Sequence, residues 1–129
     1  MTLKLATFSA VAIGLVMLSG PVFAHHGFSA YDATKTVTVM GIVTDFEFVN
    51  PHVQLYFDVK DDNGDVQHWG GELATPNVMV RKGGWNSKTL KTGDEVTITG
   101  NPAKQGSYII HPLKIVSNGR ELNMKDPGD

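Results

Sequence analysis

Residues 53–60 of the chain read VQLYFDVK, and this stretch decides the fold because apolar and polar side chains alternate along it. A period of two places the alternating side chains on opposite faces of a β-strand, so the pattern predicts a strand with one buried face. The apolar set is Val53, Leu55, Phe57 and Val59. Such a strand is stable only beside other strands, and the sequence predicts them on both sides.

The chain before this strand, residues 35–49, is rich in β-branched and aromatic residues. Val37 and Val39 occupy one phase of the period-two pattern, whereas Phe46 and Phe48 occupy the opposite phase. One extra residue within a strand produces such a change of phase. We therefore predict one long strand that is bent or bulged in its middle.

The chain after this strand contains a turn at residues 61–64, where Asn-Gly favours a hairpin, and then a return strand over residues 66–73. A short helix is predicted over residues 76–82. Thr75 is a typical N-cap before a proline at the first helical position, and Gly83-Gly84 is a typical helix stop.

Two further strands follow the helix. Val96 and Ile98 alternate with threonines in the fourth strand, and residues 107–116 are predicted as a fifth strand that Pro112 interrupts. A turn then leads into a short strand at Glu121-Leu122. Three strands, a helix and two strands is the element order of the OB-fold. We therefore predict a mainly β protein, a small five- to six-stranded OB-like barrel with one short helix between strands 3 and 4.

The N-terminus has the features of an export signal. Lys4 supplies a positive charge, residues 5–18 are uncharged and largely apolar, and Val22-Phe23-Ala24 places small residues where signal peptidase requires them. Cleavage is predicted after Ala24. Residues 1–24 are thus predicted to be a signal peptide, and residues 25–129 a single OB-like domain located in the periplasm.

Composition argues against several classes of function. The chain has no cysteine, so neither a disulfide framework nor a thiolate metal site is available. Without Lys4 the net charge of −2 becomes −3, and the basic residues are scattered, whereas nucleic-acid binding depends on clustered Lys and Arg. We expect no nucleic-acid partner. The sequence also predicts no membrane anchor, because it has no lipobox cysteine and no later long apolar run.

The sequence does not predict an enzyme. It contains no Gly-rich phosphate loop, no H-E-x-x-H and no G-x-S-x-G motif. Asp45 and Glu47 share a strand face, as an acid–base pair would, but the surrounding sequence indicates no pocket, and a solvated strand face accounts for them better.

Several short segments together resemble an uncharacterised family of small exported bacterial proteins. These segments are the Ala24-His25-His26-Gly27-Phe28-Ser29 junction, Asn50-Pro51-His52, Gly84-Trp85 and Leu90-Lys91-Thr92-Gly93-Asp94. The resemblance covers nearly all of residues 25–129 and implies export and a single β-rich domain. It implies no catalytic residue, because the family has no established activity.

Histidines are the strongest candidates for chemistry, since imidazole is a common ligand for copper, nickel and zinc. If cleavage follows Ala24, the α-amine of His25 and its Nδ1 atom can chelate one metal ion. His26 offers an alternative at the second position, through a deprotonated amide. His52 follows a turn at Pro51, which can aim its ring at the N-terminal segment.

Each of these candidates also has an ordinary structural interpretation. The N-terminus can be mobile and merely polar, and a turn histidine can simply bond to backbone. His68 is expected at the surface, about 13 Å along its strand from Glu72 and too far to chelate with it. His111 is expected to reach a site only from the sheet.

The sequence thus predicts a periplasmic metal-binding or accessory protein, with copper as the favoured ion and His25, His26 and His52 as candidate ligands. A metal-free module that binds a periplasmic protein or a small ligand at an open barrel edge remains the alternative.

Overall fold

The computed structural model describes residues 27–125. Its longest strand, β1 (Val37–Glu47), pairs with a neighbouring strand on each side. From Val37 to Ile42 it pairs with β4, and from Ile42 to Glu47 it pairs with β2. The β2 pairing shifts register between Val43 and Asp45. A bulge bends a strand and increases its twist, which allows one strand to serve two neighbours in a curved sheet. The predicted long, bulged first strand is therefore confirmed.

The remaining elements follow the predicted order. Their bounds are β2 (Gln54–Lys60), β3 (Val66–Glu72), α1 (Pro76–Gly83), β4 (Glu95–Pro102), β5 (Ile109–Ser117) and β6 (Arg120–Glu121), preceded by a 3₁₀ turn (Phe28–Ala30).

The sheet closes on itself. Its strand order is β3-β2-β1-β4-β5-β6, and β5 also lies parallel to β3 through the pairs Gly70 with Ile109 and Gly71 with Ile110. The result is a closed five-stranded barrel with one extra strand, and α1 lies between β3 and β4 in the chain. This confirms the predicted mainly β, OB-like barrel with one short helix between strands 3 and 4.

The barrel interior is filled by one apolar cluster. Its fully buried members include the predicted inward side chains Val53, Leu55 and Phe57. The helix adds the buried Met79 to this cluster. Thr75 caps the N-terminus of the helix, and Gly84 ends it in the left-handed conformation with φ of 67°. Both predicted caps are confirmed.

The structure differs from the sequence prediction at Pro112. The predicted fifth strand is not interrupted there, because Pro112 lies opposite Gly100, where the pairing of β4 with β5 shifts register. A proline lacks an N–H, and a bulge removes the need for one. Gly100 is required at this point, since a Cβ atom there would overlap the carbonyl oxygen of His111.

Candidate functional site

The segment before β1 is fastened to the barrel by backbone hydrogen bonds. Asp32 N donates to Pro102 O at 2.9 Å, and Lys104 N donates to Ala30 O at 3.0 Å. Between these two bonds, Tyr31 forms an antiparallel bridge with Ala103. The 3₁₀ turn that begins at Phe28 therefore has a fixed position beside the end of β4.

The turn between β1 and β2 carries His52 towards β3. The bond between Asn50 and Pro51 is cis. Val53 N donates to Ala74 O at 3.0 Å, and Leu73 N donates to Val53 O at 2.9 Å. These bonds continue the pairing of β2 with β3 beyond the last ladder pair.

As a result, Nδ1 of His52 lies 2.6 Å from a carboxylate oxygen of Glu72. The Nδ1 atom is buried, and its angle to that oxygen falls outside hydrogen-bond geometry. The contact is a close polar contact rather than an aligned hydrogen bond, because the distance is short but the angle is unfavourable. A carboxylate at this distance favours the Nδ1–H form of the ring, which leaves Nε2 with a lone pair.

The second carboxylate oxygen of Glu72 accepts a hydrogen bond of 3.1 Å from the hydroxyl of Tyr31. Tyr31 is buried, with 6% of its surface exposed. Burial raises the pKa of the Tyr31 hydroxyl well above its usual value, and the neighbouring Glu72 carboxylate raises it further. Tyr31 is therefore held as a neutral donor that fixes the Glu72 side chain.

A second histidine meets the same residue. Nδ1 of His111 lies 3.2 Å from the backbone oxygen of Glu72, within hydrogen-bond geometry. The imidazole ring packs against two aromatic rings, with centroid separations of 4.5 Å to Phe28 and 5.5 Å to Tyr31. A carbonyl can only accept, so His111 donates from Nδ1, and in the neutral ring Nε2 then carries the lone pair.

His25 and His26 lie outside the described residues. The described residues begin at Gly27, and the ring of Phe28 contacts that of His111 at a centroid separation of 4.5 Å.

Glu72 is the centre of a cluster, because its carboxylate contacts His52 and Tyr31 and its backbone oxygen contacts His111. His68 lies outside this cluster. His68 is 84% exposed at the side chain and lies 2.6 Å from a carboxylate oxygen of Asp58, its cross-strand partner. Within residues 27–125, no group of three or more His, Cys, Asp or Glu side chains is arranged to hold a metal ion.

Sequence reasoning missed three members of this cluster, namely Glu72, Tyr31 and His111. The sequence relates Glu72 only to His68 along the strand, and it predicts that His111 can reach a site only from the sheet. No local pattern marks them, because they come from β3, the N-terminal segment and β5. Asp45 and Glu47 lie with Tyr56 on the outer face of the sheet, and the pKa of Tyr56 is raised by burial and then by those two carboxylates.

A groove of about 930 Å³ opens beside the cluster. Its floor is the outer face of β2 and β3, and its walls are the loop between β4 and β5 and the N-terminal turn. Tyr31 and Glu72 line the end of the groove that adjoins the histidines.

The part of the chain that the structure describes contains no helix long and apolar enough to cross a membrane. No curated protein matches the chain. The model of the family DUF6152 matches residues 12–110, which is most of the chain. The chain therefore belongs to DUF6152, a family of unknown function.

Proposed function

We propose that the protein binds a transition metal ion, copper first, in the periplasm, through the α-amine and imidazole of His25 and through Nε2 of His52. The proposal requires cleavage after Ala24, as the sequence predicts, because the amine ligand exists only in the processed chain.

The observation that carries the proposal is the contact of His52 Nδ1 with Glu72 at 2.6 Å. Histidines that bind metals usually direct their other ring nitrogen at a carboxylate or a backbone carbonyl, which fixes the tautomer and the ring orientation. Glu72 offers both kinds of partner, its carboxylate to His52 and its backbone oxygen to His111. His111 packs against Phe28, and His52 shares the Glu72 carboxylate with Tyr31, so both imidazoles adjoin the N-terminal segment. In the neutral ring with its hydrogen on Nδ1, Nε2 is the atom that can bind a metal ion.

Copper is favoured because nitrogen ligands of this kind bind Cu(II) more tightly than Ni(II) or Zn(II). The chain has no thiolate ligand, and the amine and the imidazoles are the nitrogen donors that the predicted N-terminus brings to the site. The protein is then a metal carrier or an accessory to another periplasmic protein, with the metal ion held at one end of the barrel.

The test compares copper binding by calorimetry in four proteins: the chain that starts at His25, the same chain with one residue added before it, His52→Ala and His68→Ala. Intact mass first establishes where the exported protein begins. The added residue and His52→Ala are expected to weaken binding by about tenfold or more, since each removes one ligand. His68→Ala is the matched control, because His68 also lies 2.6 Å from a carboxylate, that of Asp58, but its side chain is 84% exposed.

Equal copper affinities of the native-start and extended proteins would exclude the N-terminal amine as a ligand. Equal weakening by His52→Ala and His68→Ala would exclude a specific role for His52. Replacing His26 separates the two N-terminal arrangements, because only the alternative that uses the second residue depends on it.

A further inference from the structure

Part of strand β3 has a neighbouring strand on one side only. All of β3 pairs with β2, but its parallel pairing with β5 comprises only Gly70 and Gly71. Among the described residues, the segment Val66–Trp69 therefore has no strand on the side opposite β2. We call this segment the free edge.

The loop between β4 and β5 leaves this edge open. Ile109 N donates to Ser107 O at 2.8 Å, and Ala103 N donates to Ile109 O at 3.0 Å. These bonds close the loop on the β4 side, so the chain before β5 does not continue beside β3. The groove extends into the resulting gap, because its lining residues include His68 and Trp69 on one side and Ser107 on the other.

The backbone groups of the free edge point towards this gap. Gly70 N donates at 2.9 Å to the carbonyl of the residue before β5, and Glu72 O accepts from a histidine ring of β5 at 3.2 Å. Alternate residues of a strand direct their N–H and C=O groups to the same side. The N–H and C=O groups of His68 and Val66 therefore point away from β2 as well. Both residues are exposed, Val66 by 48% and the His68 side chain by 84%.

Carboxylates outnumber ammonium groups around the free edge. The turn at residues 61–65 contains three aspartates and no basic residue, and Asp58 and Glu72 line the groove. Among the described residues beside them, Lys60 at the end of β2 and Lys104 in the groove wall are basic. This charge attracts a basic partner, whereas a second copy of the same acidic edge would be repelled.

The two faces of the free edge differ in polarity. On one face the half-buried Trp69 packs against Tyr108 with a centroid separation of 5.4 Å, and Tyr108 is 48% exposed. On the other face His68 contacts the carboxylate of Asp58 at 2.6 Å. The side chains of an added strand would alternate between these two faces. A strand with apolar side chains on the Trp69 face and basic side chains on the Asp58 face fits both.

We propose that the free edge binds an extended segment of a partner protein, in which basic and apolar residues alternate, as an added strand beside β3. Main-chain hydrogen bonds to Val66 and His68 supply affinity, and the alternating side chains supply specificity. The site does not depend on the proposed metal ligands, since it uses backbone groups of β3 and neither His25 nor His52.

The test is an NMR titration of metal-free protein, in chelator, with a capped heptapeptide that alternates lysine and valine. We expect a Kd of about 1 mM or tighter, with the largest amide shifts at Val66 and His68. Hydrogen exchange of these two amides should slow by about tenfold or more at saturation, because a hydrogen-bonded amide exchanges only when the bond opens. The same peptide with glutamate in place of lysine should bind at least about tenfold more weakly.

Two methylated peptides distinguish an added strand from simple charge attraction. One carries N-methyl groups on all its lysine amides and the other on all its valine amides, so each has one blocked edge and both keep their side chains. Since alternate amides point to opposite sides of a strand, one of the two peptides should lose about tenfold or more in affinity and the other should retain it.

His68→Pro tests the protein side of the same contact. It removes an N–H that β2 does not use, as edge strands tolerate, and should weaken binding by about tenfold or more. Val80→Ala, exposed on α1 and outside the groove, is the control and should leave the affinity unchanged. Circular dichroism establishes that each variant folds, and the methylated peptides decide the question if His68→Pro does not.

Failure of the lysine peptide to bind at about 10 mM would overturn the proposal. Equal affinities of the two methylated peptides, or equal affinities of the lysine and glutamate peptides, would also overturn it. A dimer in sedimentation that His68→Pro converts to a monomer would replace the basic partner with a second copy of this chain.

Discussion

Replacing Glu72 by alanine tests whether this residue organises the cluster. Glu72→Ala removes the acceptor of the buried Tyr31 hydroxyl and the carboxylate beside His52. The cost should appear in the free energy of unfolding even without metal, because Tyr31 belongs to the anchor of the N-terminal segment.

The magnitude follows from the exposure of each contact. A hydrogen bond from a buried hydroxyl to a charged acceptor contributes about 1.5–3 kcal/mol. The contact of His52 with Glu72 is partly exposed, with 30% and 26% of the two side chains accessible, so it adds about 0–1 kcal/mol. We therefore expect Glu72→Ala to lower the free energy of unfolding by about 2–4 kcal/mol. This is a large share of the 5–15 kcal/mol that is typical of a small domain.

The assay is urea unfolding in chelator, followed by circular dichroism. With an m-value near 2 kcal/mol/M, the midpoint should fall by about 1–2 M. Asp58→Ala is the matched control, since Asp58 also lies 2.6 Å from a histidine, but that histidine is 84% exposed. It should cost about 0–1 kcal/mol. Equal costs for the two substitutions would refute the assignment of Glu72 as the residue that holds the cluster together.

Two further predictions concern single aromatic residues. Burial, and then the Glu72 carboxylate, raise the pKa of the Tyr31 hydroxyl above its usual value of 10.0. The unfolded chain therefore releases this proton more readily than the folded protein. The free energy of unfolding should fall as pH rises above about 10. Ultraviolet difference titration should show Tyr31 ionising last in the native protein, and Tyr31→Phe should remove that step; a normal titration of all tyrosines would contradict this. Trp85→Phe should destabilise the protein by about 2–4 kcal/mol, because Trp85 is 2% exposed and its Nε1 donates to Asn123 O at 2.7 Å. Trp69→Phe is the comparison, because the half-buried Trp69 ring donates a longer hydrogen bond, of 3.3 Å, to Gln67. Its urea midpoint should fall less than that of Trp85→Phe. Equal falls in the two variants would contradict this prediction.

The sequence by itself determined the elements of the barrel. Alternation at residues 53–60 predicted β2, and the change of phase before Phe46 predicted the bulge of β1. Thr75 and Gly84 predicted the ends of α1. These signals are local, because periodicity, capping and turn chemistry depend on residues only a few positions apart.

The residues next to Pro112 in the chain do not show whether this proline interrupts β5. Pro112 lies in β5 at the point where the pairing with β4 shifts register, between Thr99 and Gly100. The effect of a proline on a sheet depends on whether its partner strand needs an N–H at that point, and this partner is known only once the barrel has closed.

The site was determined in part by sequence and in part by tertiary structure. His52 was predictable from its residue type and its place after Pro51, whereas Glu72, Tyr31 and His111 became members through barrel closure. They are 39 to 41 residues apart in the chain along their hydrogen bonds, so no sequence period connects them. The local sequence determines which side chains share a strand face. Strand pairing determines which faces and which chain ends come into contact, and the cluster forms at such a contact.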